Sequence, residues 1–413
     1  MRRNHGSTDR SHRRIAMKDI IYADNAATTK LSQHALETML PYLREEYGNP
    51  SSLHLMGQTA QRAIDNSRRE IAEILHCSPQ EITFTSGGTE ANNQAILTAA
   101  LDKRNKGKRH IVSTAFEHHS VLHMLKKLEQ EGYEVELLKI PEDGVLHPQQ
   151  LESALREDTC FVSVMYANNE IGSIQPIDEI GRICREHDVL FHTDAVQATG
   201  HLPIDVDKLN VDLLTVSAHK FHGPKGIGLL YAGHGIHPAN LLEGGAQERG
   251  HRSGTENVAA IVGMAAALQE ADRDKETNNQ VTAQLRDRLI DGLSRIPHSV
   301  LNGSRKKRLP GNVNFCFEGI EGETLLLLLD QEGIFASSGS ACSAGSLEAS
   351  HVLLALGRPR ELAFGSLRLS INEENNEEEI DQIIEIVTDS VAKLRESSPM
   401  WHDRLSGRKE YYL

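Results

Sequence analysis

No stretch of the 413-residue chain approaches the ~20 consecutive apolar residues that a membrane-spanning helix needs. A helical membrane protein is therefore excluded by pattern. Positive charge is in deficit, with 44 Lys and Arg against 58 Asp and Glu for a net charge of -14. Such a surface repels phosphate backbones, so direct nucleic-acid binding is not expected. The five cysteines (Cys77, Cys160, Cys184, Cys316 and Cys342) include no Cys-x-x-Cys pair, which argues against a structural zinc site and against any metal site. Their odd count and wide spacing argue against a disulfide framework and suit a reducing compartment, so a cytoplasmic location is expected. The arginine-rich residues 1–16 lack the apolar core of a secretory signal. They read as a disordered extension, or as an upstream start ahead of Met17. The chain contains no internal repeat and no low-complexity linker.

What remains is an ordinary globular composition, long enough for two domains. Between about residues 80 and 232, seven short β-rich runs alternate with helix-compatible stretches. The runs are Ile82–Thr85, His110–Thr114, Glu134–Leu138, Cys160–Met165, Val189–Thr193, Asp212–Ser217 and Gly226–Tyr231. Strands separated by helix-length connections imply an α/β fold with a mostly parallel, buried sheet and helices on both faces. Beyond residue 280 the pattern changes to a smaller α+β unit. There, 281–296 reads as a helix, Val313–Phe317 as a strand, and the leucine run in 321–331 as a buried helix. In the last helix, Ile380, Ile383, Ile384, Val387, Val391 and Leu394 recur at helical spacing.

In open α/β sheets, ligands bind outside the carboxyl ends of the strands. Polar clusters follow five of these runs: Ser86-Gly87-Gly88-Thr89-Glu90, Glu117-His118-His119, Asn168-Asn169-Glu170, Asp194 with Gln197, and Ser217-Ala218-His219-Lys220. Each alone has a bland reading, as a tight turn, a surface histidine pair, a helix cap or a solvated lysine. Together on one edge they match what pyridoxal phosphate requires. Lys220 offers the amine and Asp194 an acid for the pyridine nitrogen. Gly88, Thr89, Ser217 and His219 offer phosphate donors at a helix start. His118 offers an aromatic face over the ring, while Asn169 and Gln197 offer hydrogen bonds to the ring oxygen. Far downstream, Ser337-Ser338-Gly339-Ser340-Ala341-Cys342-Ser343-Ala344-Gly345-Ser346 sets one thiol among small residues. A thiol there can attack a bound intermediate, which points to sulfur chemistry.

The motifs Tyr22–Thr29, Phe84–Glu90, Asn168–Gly172, Ser217–Lys220, Glu248–Thr255 and Ser338–Cys342 resemble, in order, those of the cysteine desulfurases. These are class V members of the fold-type I pyridoxal-phosphate enzymes, and the long cysteine segment is similar to that of the NifS/IscS group. The resemblance implies a large cofactor-binding domain of residues 31–277 and a small domain of 17–30 with 278–413. It implies a homodimer, because the family's threonine at the position of Thr255 reaches the phosphate of the neighbouring subunit. It also implies that Arg368, aided by Asn169, grips the carboxylate of L-cysteine, for which a guanidinium fork is suited. Lys220 would move the α-proton, and the Cys342 thiolate would take the sulfur with His118 as proton donor or acceptor. The products would be alanine and a persulfide destined for a sulfur-acceptor protein such as an iron–sulfur scaffold. A selenocysteine lyase is the alternative on the same scaffold. Lys30, Glu243, Ala246, Ala349 and Asn372-Glu373 depart from the usual family pattern without removing a catalytic group. The aromatic tail, 398–413, reads as a docking segment or as a strap packed on the small domain.

Overall fold

A computed structural model describes residues 20–339 and 349–413. The expected extension, 1–16, and Cys342 lie outside the described residues. In chain order the first half runs β1 (Ile21–Tyr22), α1 (Gln33–Arg44), α2 (Leu55–Leu75), β2 (Ile82–Thr85), α3 (Gly88–Leu101), β3 (His110–Thr114), α4 (His119–Gln130), β4 (Glu134–Leu138), α5 (Pro148–Ala154), β5 (Thr159–Ser163), α6 (Ile177–Glu186) and β6 (Leu190–Asp194). Then follow α7 (Val206–Leu209), β7 (Leu213–Ser217), β8 (Gly228–Ala232), α8 (Val258–Leu293), β9 (Ser299–Leu301), β10 (Asn312–Phe317), α9 (Gly322–Gln331), β11 (Ile334–Phe335), α10 (His351–Ala355), α11 (Arg360–Ala363), β12 (Ser366–Ser370), α12 (Glu377–Ser397) and α13 (Pro399–Leu405).

All seven runs read from the sequence are strands, within two residues at either end, and they form one seven-stranded sheet in the order β2-β8-β7-β6-β5-β3-β4. Every pairing is parallel except those of β8, which runs antiparallel to β2 and β7. β2 therefore points the same way as the five parallel strands, and six strands end on one edge. The residues of β2, β3, β5, β6 and β7 are buried on both faces, as crossover helices require, while β4 lies largely exposed at the sheet's edge. One core gathers α2, α6 and the first half of α8 on one face, and another gathers α3 and α4 on the other.

A three-stranded antiparallel sheet, β12-β10-β9, anchors a separate core with α9, α12 and the second half of α8. The helix expected over 281–296 is thus the far end of one 36-residue helix. Neither proline nor glycine falls between Gly263 and Gly292 to break it. The leucine run is only half buried: Leu325 and Leu329 are enclosed, whereas Leu327 is 65% exposed, because α9 lies on the core with one face. α12 carries an Asn376–Glu379 capping box and buries Ile380, Ile383, Val387 and Val391 as the periodicity predicts. The tail folds back as a strap. Trp401 lies against the Arg395 guanidinium at 4.2 Å, Tyr411 stacks on His298, and buried Glu318 pairs with Arg404 at 3.0 Å. Among the described residues no helix is long and apolar enough to cross a membrane.

Candidate active site

The turn after β2 has a shape that can hold an anion. Gly87 sits at φ 149°, ψ -177°, a region that essentially only glycine occupies. A β-carbon on Gly88 would lie 2.8 Å from Val196, so close approach also demands glycine there. α3 starts at Gly88, and its first N–H groups and dipole face a cavity lined by Thr28, Ser86–Glu90, Ser217, His219 and Lys225. The expected phosphate donors Gly88, Thr89, Ser217 and His219 thus share one cavity. Burial, then the charges of Lys220 and Lys225, hold the His219 imidazole down at about 4, so it is neutral. Its Nδ1 meets Thr28 Oγ1 at 3.2 Å. Glu90, in the first turn, would oppose an anion. Arg252 answers it at 2.9 Å, and Glu90 Oε2 accepts from Ser86 N at 2.8 Å. Burial raises this carboxyl, but those hydrogen bonds outweigh it and leave its pKa lowered.

Asp194 ends β6 and is 4% exposed. Its Oδ1 accepts from Val196 N at 2.9 Å and its Oδ2 from Asn92 Nδ2 at 2.7 Å. Asn92 also donates to Ser120 Oγ at 2.9 Å, and Ser120 Oγ lies 2.7 Å from His118 Nδ1. His118 caps α4, where Nδ1 accepts from Ser120 N at 3.2 Å. An accepting Nδ1 leaves the ring proton on Nε2. Burial lowers the His118 pKa, Asp194 opposes this, and Lys220, His119 and His351 reinforce it. A continuous chain therefore runs from Asp194 to His118 through Asn92 and Ser120. Sequence reading missed both linkers. Asn92 lies one turn beyond Thr89 on α3, a spacing that places it on the same face.

Lys220 closes a single 3₁₀ turn after β7. Its Nζ donates to the carbonyls of Ala26 and Ala27 at 2.6 and 2.8 Å. Gln197 Nε2 donates to the same Ala26 carbonyl at 2.9 Å. Arg368, on β12, is 1% exposed; Nη2 pairs with Asp24 at 2.8 Å and Nη1 donates to the Asn169 carbonyl at 3.1 Å. Its buried Nε lacks a hydrogen-bond partner among the described residues. Asp24 was read only as part of a motif, and it proves to be the counter-charge. Glu117, beneath His118, is fully buried and burial pushes its carboxyl up to about 8, despite bonds from Thr114 Oγ1 and Met165 N. Thr255 is exposed and does not line the cavity with Ser217.

These residues fit pyridoxal phosphate: a glycine cradle at a helix start, hydroxyl and imidazole donors around it, and a buried carboxylate and lysine at neighbouring strand ends.

Residues 21–383 match the class-V aminotransferase family. A cysteine desulfurase IscS from Methanosarcina thermophila is 52% identical over 380 residues, covering 92% of this chain and 94% of that protein. A solved NifS-like protein superposes with TM-score 0.85 at 38% identity, covering 91% of this chain and all of the other. The structure of SspA in complex with cysteine does so with TM-score 0.76 at 36% identity, covering 85% of this chain and 98% of that one. The chain accordingly belongs to the class-V aminotransferase family, among its cysteine desulfurases, whose cofactor is pyridoxal phosphate.

Proposed function

We propose that the chain takes sulfur from L-cysteine as a persulfide on Cys342, leaves L-alanine, and passes the sulfur to an acceptor protein such as an iron–sulfur scaffold. The observation that carries this reading is the convergence of Gly88, Thr89, Ser217 and His219 on one cavity, with Asp194, His118 and Lys220 at adjoining strand ends. Bound pyridoxal phosphate supplies an aldehyde for an amine to capture and a sink for charge at the substrate's Cα. Thr89, Ser217, His219 and the first amides of α3 bind its phosphate. Asp194, which accepts two hydrogen bonds, holds a proton on the pyridine nitrogen. Neutral His118 would help to hold the ring, with Gln197 and Asn169 orienting it. Lys220 would hold the cofactor through its amine and would move the proton at the substrate's Cα. Arg368, aimed by Asp24, takes the substrate carboxylate with Asn169.

The reaction needs no outside oxidant. The substrate C–S bond breaks, an S–S bond forms on Cys342, and L-cysteine plus Cys342–SH becomes L-alanine plus Cys342–S–SH. An unperturbed thiol, at ~8.5, is a minority thiolate at neutral pH, so His118 has a proton to manage. Residues 31–277 would form the cofactor-binding unit, with 17–30 and 278–413 the smaller one. A homodimer is supported by Thr255, whose exposure suits a role at a second copy's phosphate, and by α1. There, Leu36, Leu40 and Leu43 make an exposed apolar stripe continued by Tyr47 and Leu53. Five widely spaced cysteines, four of them described and free, suit a cytoplasmic location.

The test incubates the holoenzyme with L-cysteine and a reductant, then measures alanine and sulfide for the wild type and Cys342→Ala. Equal yields in the wild type and none in the variant are expected. Turnover that survives in Cys342→Ala would refute the persulfide and favour a lyase of the selenocysteine type.

A further inference from the structure

Glu170 has no part in the reaction drawn above, yet it is only 1% exposed and its backbone is locked. Its amide donates to Asn168 Oδ1 at 2.9 Å, and its carbonyl accepts from Asn312 and Asn314 at 3.2 and 3.1 Å. Its carboxylate meets two residues far away in sequence. Ser350 Oγ donates to Oε2. Gly339 packs so closely that a β-carbon on it would lie 2.6 Å from Glu170 Oε2 and 2.9 Å from Ser350 Cβ. Gly339 and Ser350 bracket the segment that carries Cys342, and they touch one another across this carboxylate.

Both ends are tied further. Ser350 Oγ caps α10 by accepting from Leu353 N at 3.3 Å. Two residues before Gly339, Ser337 exchanges backbone hydrogen bonds with Arg368, at 3.2 Å from Ser337 N and 2.7 Å from Arg368 N. The entry to the segment is thus fixed to the strand that presents the substrate-binding arginine.

We infer that Glu170 is a positioning residue: it joins Gly339 to Ser350 and so holds both ends of the Cys342 segment beside Arg368. This rests on the reading of Cys342 as sulfur carrier. Cys342 is three residues from Gly339, so its backbone reaches no farther than about 10 Å from that point. Fixing Gly339 and Ser350 relative to Arg368 lowers the chain-entropy cost of bringing the thiol to the substrate, which raises its effective concentration there. Burial pushes the Glu170 carboxyl up to about 7, against the Ser350 hydrogen bond and the Arg368 charge. An amide is therefore a fair substitute: Glu170→Gln keeps an acceptor for Ser350, whereas Glu170→Ala removes it.

The experiment compares wild type, Glu170→Ala, Glu170→Gln and Ser350→Ala as holoenzymes, with three readouts. These are hydrogen exchange at the α10 amides without substrate, L-cysteine binding from the cofactor absorbance change, and single-turnover persulfide on alkylated Cys342 by mass spectrometry. Losing one buried hydrogen bond predicts about ten-fold faster α10 exchange in Glu170→Ala and Ser350→Ala. Persulfide formation slows by a similar factor, L-cysteine affinity holds, and Glu170→Gln stays near wild type. Unchanged α10 exchange in both alanine variants overturns the proposal. So does a loss of L-cysteine binding in Glu170→Ala, which would place Glu170 at the carboxylate site instead. The exchange arm does not depend on sulfur transfer, so a wild type that forms no persulfide refutes the carrier role of Cys342 while still testing the tie.

Discussion

Asn92 is the residue whose replacement most directly tests how the site is held together. It is 1% exposed, and its one amide nitrogen serves both Asp194 Oδ2 at 2.7 Å and Ser120 Oγ at 2.9 Å. Its buried Oδ1 has no hydrogen-bond partner among the described residues, so truncation forfeits no bond to them on that side. A hydrogen bond to a charged group contributes about 1.5–3 kcal/mol, and the neutral one about 1. Asn92→Ala removes one of the two hydrogen bonds that the Asp194 side chain accepts among the described residues, and it takes away the donor that holds Ser120 against His118. Because that charge-assisted bond aims Asp194, cofactor affinity falls by about ten- to a hundred-fold. Asn92→Asp, the closer shape match, is expected to be worse. It sets a second carboxylate against Asp194 in a buried site, where the two cannot both ionise. Lower pH should partly rescue this variant alone, because one shared proton restores a donor. Cofactor titration by absorbance, from pH 6 to 8.5, separates the cases. Retention in Asn92→Asp that equals or exceeds that of Asn92→Ala would refute the argument, as would wild-type affinity in Asn92→Ala.

Two further outcomes follow from buried charge. Glu248 takes Arg68 in two bonds of 2.6 and 2.8 Å and Phe84 N at 2.9 Å, with both side chains almost wholly enclosed. Removing one partner of such a pair strands the other charge, so Glu248→Ala should cost about 3–5 kcal/mol in urea unfolding. Arg68→Met added to it should recover part of that loss, and a double variant weaker than either single one would contradict the pairing. Glu117 is held protonated up to about 8 in the folded protein against an ordinary 4.5, so the unfolded chain gives up a proton that the native state keeps. Its stabilisation is complete below about 4.5 and declines as pH rises toward 8. Glu117→Gln keeps an acceptor for Thr114 and Met165 without that decline. The gap between variant and wild-type melting temperature should therefore widen from pH 5 to 8.5; a constant gap would show that Glu117 ionises normally.

The sheet was legible because burial on both faces writes six of its seven strands as short apolar runs, and because crossover helices force every parallel strand to end on the same edge. Polar clusters after Thr85, Thr114, Ser163 and Ser217, with Asp194 ending β6, had nowhere else to gather. What could not be read is what aims them. Asn92 meets Asp194 across 102 residues, Ser350 meets Glu170 across 180, and Asp24 meets Arg368 across 344. No local period encodes such a meeting. The long helix α8 misled for a related reason. Its apolar residues change partners near the middle, Ala260–Leu268 facing one core and Leu285–Leu293 another, while its backbone has no cause to stop. The aromatic tail left open a choice between docking segment and strap, and that choice turned on partners at Glu318 and His298, about a hundred residues upstream. Each of His118, Asp194 and Lys220 sits where a strand delivers it, so its position is a property of one segment. The residue that holds it there belongs to two segments at once, and becomes visible only when the chain has closed on itself.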